Sequence, residues 1–427
     1  MTRSRAARSG WLGALVVGLA SSIAGAQSGA VAALRADLKV LAADSMAGRL
    51  TGSRDSDGAA AYLARRFAQV GARPGVPGWR QEFVIAPDVA GVKELADAER
   101  PSRGVNVVAV VDGRDPRLRD QAVVVGAHYD HLGLGAVFSQ APDQRGQVHN
   151  GADDNASGTV ALLEIARRLA KRPPRRSVVL VAFSGEELGL LGSTAYVRRP
   201  AMPLERTFAM INLDMVGRLR HDRLLVFGSE TAVEFPALLD SLNRAARFDL
   251  KASGDGFGRS DQQSFYVAGK PVLHLFTDLH EDYHRPTDDW EKINIDGLVR
   301  VAGFATELAR SLGDRETPLT FVSRPAPVIA SGDRPSGGYG AYLGSIPDMS
   351  AGGPGVRLSG VRSDSPAARA GLREGDVLIQ LGRHEIADLQ AMTDALRSHQ
   401  PGDTVIVVFR RGGATDSTRA VLARRGG

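Results

Sequence analysis

The 427-residue chain contains no cysteine. Disulfide staples are thereby excluded, and so is any metal site built on thiolates. The core must hold by packing alone, and a metal would have to be bound through His, Asp or Glu. An excess of charge of one sign is also missing. The formal net charge is +5, but Arg3, Arg5 and Arg8 supply three of those charges, leaving +2 for the rest. That balance is no electrostatic footprint for nucleic acid. A membrane-spanning run is absent as well, because the apolar stretch Trp11 to Ile23 is shorter than a spanning helix needs. Preceded by the three arginines and followed by Ala24-Gly25-Ala26, it reads as a cleaved secretory signal over residues 1–26. The expectation is an exported protein, periplasmic or extracellular, with its mature chain starting near Gln27 and no stable membrane span.

What remains is ordinary globular material: 43% hydrophobic and 24% charged, long enough for two domains. Residues 32–71 read as helices, from Leu34, Leu38 and Leu41 and then Ala60, Leu63, Phe67 and Val70 at helical spacing. Strand-like runs follow at 105–111, 122–127, 178–183, 208–213, 224–227 and 272–276, with helices expected over 157–169 and 186–196. Buried strands alternating with helices predict an α/β sheet covered on both faces. Near Thr317 the composition changes. A Pro-, Gly- and Ser-rich stretch suggests a linker over 319–336, and a unit of about ninety residues lies beyond it.

Acids and histidines recur where apolar runs stop. Glu186 and Glu187 follow 178–183, His128 and Asp130 follow 122–127, Asp214 follows 208–213, and Asp153 and Asp154 precede a helix. His284 sits in a polar loop. Two adjacent carboxylates at a strand end require positive charge nearby, because both cannot stay ionised cheaply. A metal centre is the economical explanation, one glutamate binding metal and its neighbour handling protons. His128 and Asp130, alternate residues of an extended segment, face one side, so one can ligate while the other orients it.

In order these stretches read Gly126-Ala-His-Tyr-Asp-His-Leu-Gly133, Asn150-Gly-Ala-Asp-Asp-Asn-Ala-Ser-Gly158, Phe183-Ser-Gly-Glu-Glu-Leu-Gly-Leu-Leu-Gly192 and Asn212-Leu-Asp-Met-Val-Gly217. Through them residues 34–312 resemble the M28 family of zinc exopeptidases, of the aminopeptidase Y and bacterial leucyl-aminopeptidase type. The resemblance implies a mixed, mostly parallel central sheet with helices on both faces, in a peptidase domain over 27–318. It further implies two Zn2+ ions bridged by Asp154, one also held by His128 and Asp214, the other by Glu187 and His284. Glu186 would be the general base, Asp130 would fix the His128 tautomer, and Tyr283 would steady an oxyanion. A cis peptide after Asp154 is also implied. The expected activity is removal of N-terminal residues from peptides. A carboxypeptidase or other amidohydrolase of the same fold is the alternative, with Arg218 and Arg259 as possible clamps for a substrate carboxylate; a non-catalytic binding protein is the remaining one. This chain has Ser260-Asp261-Gln262-Gln263-Ser264-Phe265 where many relatives carry a histidine after the Asp, so altered pocket detail is expected.

Residues 337–427 resemble a PDZ domain of the bacterial periplasmic protease type, through Tyr342-Leu343-Gly344, Ser365-Pro366-Ala367-Ala368-Arg369-Ala370-Gly371-Leu372 and Gly375-Asp376-Val377-Leu378. The resemblance implies a small β-sandwich-like module that takes a peptide or protein C-terminus as an added strand, its carboxylate held near Leu343.

Overall fold

The computed structural model describes residues 28–258, 260–324, 341–348, 354–387 and 389–423. The segment read as a signal, Arg259 and most of the linker lie outside the described residues. Nine strands form the first sheet: β1 (Arg73–Pro74), β2 (Arg80–Val84), β3 (Arg103–Val111), β4 (Ala122–His128), β5 (Ser177–Phe183), β6 (Thr207–Leu213), β7 (Arg223–Phe227), β8 (Asp249–Ser253) and β9 (Val272–Phe276). Their order is β1-β3-β5-β4-β6-β9-β7-β8, with β2 also on β3. The four central strands β5, β4, β6 and β9 are mutually parallel, and antiparallel pairs lie toward the edges.

The period-two alternation of these strands sorts their side chains between two cores. Val123, Val125 and Ala127 of β4, with Val178, Leu180 and Ala182 of β5, join the core built with helices Gly158–Lys171 and Ile295–Asp314. Val124, Val179, Val181 and Phe183 point the other way, into a core shared with Tyr196 and Phe265 of helices Leu191–Arg198 and Gln262–Val267. Both faces are covered, and β4 and β5 are buried along their whole length. Each buried Val or Leu side chain contributes about 1.5–3 kcal/mol of transfer free energy.

The helix expected over 186–196 begins only at Leu191. Gly185, Gly189 and Leu190 have positive φ (78°, 116° and 59°), which breaks the helical ladder and leaves both glutamates on a turn. Residues 319–324, assigned to the linker from sequence, still pack on the first domain. Phe321 bridges Ala232, and the Val322 amide donates to the Thr231 carbonyl.

The second unit is a six-stranded antiparallel sheet of β10 (Ser345–Pro347), β11 (Val356–Val361), β12 (Val377–Leu381), β13 (His384–Glu385), β14 (Thr404–Arg411) and β15 (Ala414–Val421). It encloses its own core with helix Leu389–Arg397. β10 lies at the sheet edge directly after Leu343 and Gly344. The carbonyls of those two residues are turned inward, onto the amides of Ala367 and Arg362.

Candidate active site

Parallel strands end on the same side of a sheet, and ligands collect beyond those ends. Here β4 delivers His128, β5 leads to Glu186 and Glu187, β6 to Asp214, and β9 to the loop carrying His284. Asp154 enters from the turn that opens helix Gly158–Lys171, and the peptide between Asp154 and Asn155 is cis. Residues from five segments thus converge.

The geometry centres on Asp154. Its Oδ1 lies 3.4 Å from His128 Nε2, and its Oδ2 lies 3.2 Å from His284 Nε2. Asp214 Oδ1 stands 3.3 Å from the same His128 nitrogen, and Glu187 Oε2 stands 3.2 Å from the same His284 nitrogen. Glu186 Oε2 is 4.0 Å from His128 Nε2. Two donor groups therefore meet across one carboxylate. The donor atoms of His128, Glu186 and Asp214 are mutually within 4.8 Å, and so are those of His131, Asp154 and Glu187.

Both outer histidines are presented by their far nitrogens. His128 Nδ1 donates to the Asp130 carbonyl at 3.2 Å, and His284 Nδ1 donates to the Phe138 carbonyl at 2.8 Å. A carbonyl only accepts, so each Nδ1 carries a hydrogen, and it is each Nε2 that faces the acids. The tautomer of His128 is thus set by the backbone of Asp130, whose carboxylate stands 3.8 Å from Nδ1. That carboxylate instead accepts from the Thr51 hydroxyl (2.9 Å) and from the Glu186 amide (3.3 Å).

Charge is out of balance in this pocket. Burial alone would depress both imidazoles. Even so, Asp214 and Glu186 raise His128 well above its usual range, and Glu187 with Asp154 takes His284 up to about 10. Burial pushes Glu186 well up, and the neighbouring Asp214 and Glu187 add to it. Glu187 experiences the same burial, yet His284 draws it down to about 2. With their Nε2 protons released, the two imidazoles and this surplus of buried carboxylate form a donor set suited to divalent cations.

Comparison with known proteins places this architecture. Residues 106–309 match peptidase family M28, and residues 340–422 match the PDZ domain family. The chain carries an M28 peptidase domain followed by a PDZ domain. Aminopeptidase YwaD of Bacillus subtilis is 31% identical over 43% of this chain and 39% of its own length. A probable leucine aminopeptidase of Arthroderma otae is 28% identical over 48% of this chain and 57% of its own length. The chain thus spans roughly half the length of these curated relatives. In fold, it is similar to a Zn-dependent exopeptidase from Parabacteroides distasonis. That likeness has a TM-score of 0.54 at 19% identity, over 67% of this chain and 98% of the other.

Within the M28 domain, the sequence-predicted His128, Asp154, Glu186, Glu187, Asp214 and His284 come together. Tyr283 stacks on His284 with ring centroids 3.9 Å apart and packs against the cluster of Met215, Leu225 and Phe276. Arg218 is held inside the fold, donating to Asp282 at 2.8 Å and to Asp288 at 3.3 Å. Gln262, which replaces the relatives' histidine, is buried and accepts from Asn212 at 3.1 Å. It therefore supports the end of β6.

Four supporting residues were not assigned from sequence. His131 Nδ1 donates to Glu187 Oε1 at 2.7 Å. Ser260 donates to Asp214 Oδ2 at 2.7 Å. Asp288 Oδ2 accepts the amides of Asp153 and Asp154, at 2.9 and 3.1 Å. Asp153 faces away from the centre, accepting from Gly217 N at 2.7 Å with His280 Nε2 at 3.1 Å. His131 lies past the end of β4, where alternation no longer predicts direction. The other three supports are joined to their targets by contacts remote in sequence.

Proposed function

We propose that the protein is an exported dizinc aminopeptidase, with Asp154 shared between two metal sites. The supporting observation is that the two oxygens of this one carboxylate face two different histidines, each already accompanied by a second acid. His128 and Asp214 would hold one ion, Glu187 and His284 the other. Bound there, zinc would polarise the scissile carbonyl and lower the pKa of a water. Glu186 stands beside the His128 set without being needed as a ligand. As general base it takes the proton from the attacking water and passes it to the departing amine. Asp130 holds the Glu186 backbone amide, and Tyr283 offers a hydroxyl to the developing oxyanion. No helix among the described residues is long and apolar enough to cross a membrane. The PDZ domain would receive a peptide C-terminus along the edge of β10.

The carboxypeptidase alternative needs an arginine free to clamp a carboxylate. Arg218 is engaged by two acids of its own.

Hydrolysis of aminoacyl-nitroanilides, free and N-acetylated, tests the proposal, with metal content measured in parallel. Free-amine substrates should be cleaved by the wild type and spared after chelation. Glu186→Gln should lower kcat by about 10²–10⁴ while metal content stays unchanged. Cleavage of the acetylated substrates instead, or full activity in Glu186→Gln, would refute the proposal.

A further inference from the structure

Among the described residues, Arg49 is the largest side chain that the fold encloses completely. Its guanidinium makes no direct ion pair with any described residue; it donates to four backbone carbonyls. Nε reaches Tyr129 at 2.7 Å, one terminal nitrogen reaches Leu41 and Asn150 (the latter at 2.7 Å), and the other reaches Gly151 at 3.0 Å. Leu41 closes the first helix (28–41). Tyr129 sits between His128 and Asp130, and Asn150 and Gly151 open the turn that carries Asp154. One buried cation therefore ties both loops of the candidate metal centre to the amino-terminal helix. Burying a charge is costly unless its hydrogen bonds are met, and here they are met by carbonyls of those loops.

The turn bearing Arg49 is shaped to reach them. Ala47, Gly48 and Arg49 all have positive φ (42°, 67° and 51°). A Cβ on Gly48 would stand 2.4 Å from the Gly133 carbonyl oxygen and 2.6 Å from that of His149, so only glycine allows this approach. Gly133 N donates back to Gly48 O at 3.0 Å, and His131 N to Arg49 O at 3.4 Å. Further along, Thr51 Oγ1 donates to Asp130 Oδ2, whose other oxygen accepts the Glu186 amide. The whole turn precedes residue 106, where the match to family M28 begins.

We propose that the turn from Ala47 to Thr51 is a positioning element of the metal centre. Arg49 sets the separation of the His128 and Asp154 loops, and Thr51, through Asp130, sets the placement of Glu186. This rests on the metallopeptidase reading above. A centre whose donors must be held to within about 0.5 Å depends on such supports.

The test uses the full chain, stripped of metal and titrated with Co2+ against a competing chelator. The cobalt absorption spectrum reports ligand geometry. Arg49→Met should bind Co2+ at least about tenfold more weakly, with an altered spectrum, since outer supports of metal sites are worth 10–100-fold in affinity. Arg49→Lys should recover only part of that loss, because an ammonium cannot span four carbonyls. Thr51→Val should leave cobalt affinity and KM unchanged and lower kcat about tenfold, the size of one lost hydrogen bond to a charged group; Thr51→Ser should restore it. A merely structural turn would lower the melting temperature of the metal-free variants and leave cobalt affinity, spectrum and kcat of the folded fraction unmoved. That result overturns the inference. If Arg49→Met does not fold, the wild-type spectrum and affinity in Arg49→Lys, with wild-type kcat in Thr51→Val, overturn it equally. A wild type that takes up no cobalt would sink the metallopeptidase reading and this inference with it. Equal uptake by wild type and Arg49→Met would sink the inference alone.

Discussion

Glu186 and Glu187 are chemically identical neighbours, and the fold drives them apart. Glu187 is flanked by His131 and His284, which keep it ionised, whereas at Glu186 burial and the neighbouring carboxylates outweigh the pull of His128, 4.0 Å away. Adjacent acids separated in this way can divide ligand and proton-transfer roles. A buried carboxylate in the PDZ domain is treated differently. Asp376 is only 1% exposed, receives Arg411 through two nitrogens at 2.7 and 2.8 Å, and accepts the Arg373 amide at 2.9 Å. Burial pushes its pKa up, but the Arg411 hydrogen bonds win and hold it below the ordinary 3.8. A folded pKa lower than the unfolded one means that the stabilisation is complete above the unfolded pKa and is lost as pH falls through the folded pKa. Asp376→Asn should therefore destabilise the PDZ domain by about 1.5–3 kcal/mol at neutral pH. The deficit should shrink below about pH 4. Hydrogen exchange of the β12 and β14 amides measures it, and a deficit independent of pH would count against the ion pair.

At the scale of elements, local propensity and tertiary fit can be separated using glycines inside two helices. Gly58, in helix Arg54–Gln69, has nothing within 4 Å of an added Cβ. Gly58→Ala should stabilise the protein by about 0.5–1 kcal/mol through helix propensity alone. A Cβ added at Gly192, in helix Leu191–Arg198, would stand 2.3 Å from the Ser184 carbonyl oxygen and 2.4 Å from Asn106 Oδ1. Gly192→Ala should destabilise by about 1–3 kcal/mol, because backbone must move to admit the methyl. The two melting temperatures should shift in opposite directions, and equal shifts would refute the argument. The central strands β3 to β6 and β9 were legible because unbroken apolar runs suit strands buried on both faces. β1, at two residues, and the exposed β8 carry no such run. The turn over 186–190 was misread as helix, because left-handed Leu190 leaves no mark in composition.

At the scale of the whole molecule, the two hydrophobic interiors share no residue. One set draws on residues 30–321, the other on residues 341–422. Arg223 with Asp348, and Arg362 with the Glu281 carbonyl, link the units by polar contacts. The Arg223–Asp348 pair is half-buried, and a hydrogen bond to a charged group is worth about 1.5–3 kcal/mol, far less than a shared apolar core. Calorimetry of the full chain should show two transitions, with Asp376→Asn moving only one. A single cooperative transition that shifts as a whole in that variant would show that the domains unfold together.

The sequence by itself determined the donor chemistry and the sheet. Without cysteine, a metal can be held only by His, Asp and Glu, and strand ends mark where such residues gather. It also marked the second domain, through the motifs around Leu343, Ser365 and Asp376. Only the tertiary structure decided which oxygen faces which imidazole, that Asp130 holds Glu186 while its backbone serves His128, and that Arg49 joins the two loops. Those contacts span 8 to 102 positions along the chain for Arg49 alone. Patterns of period two or 3.6 describe neighbours within an element, and pairings at that range are set by how the elements pack.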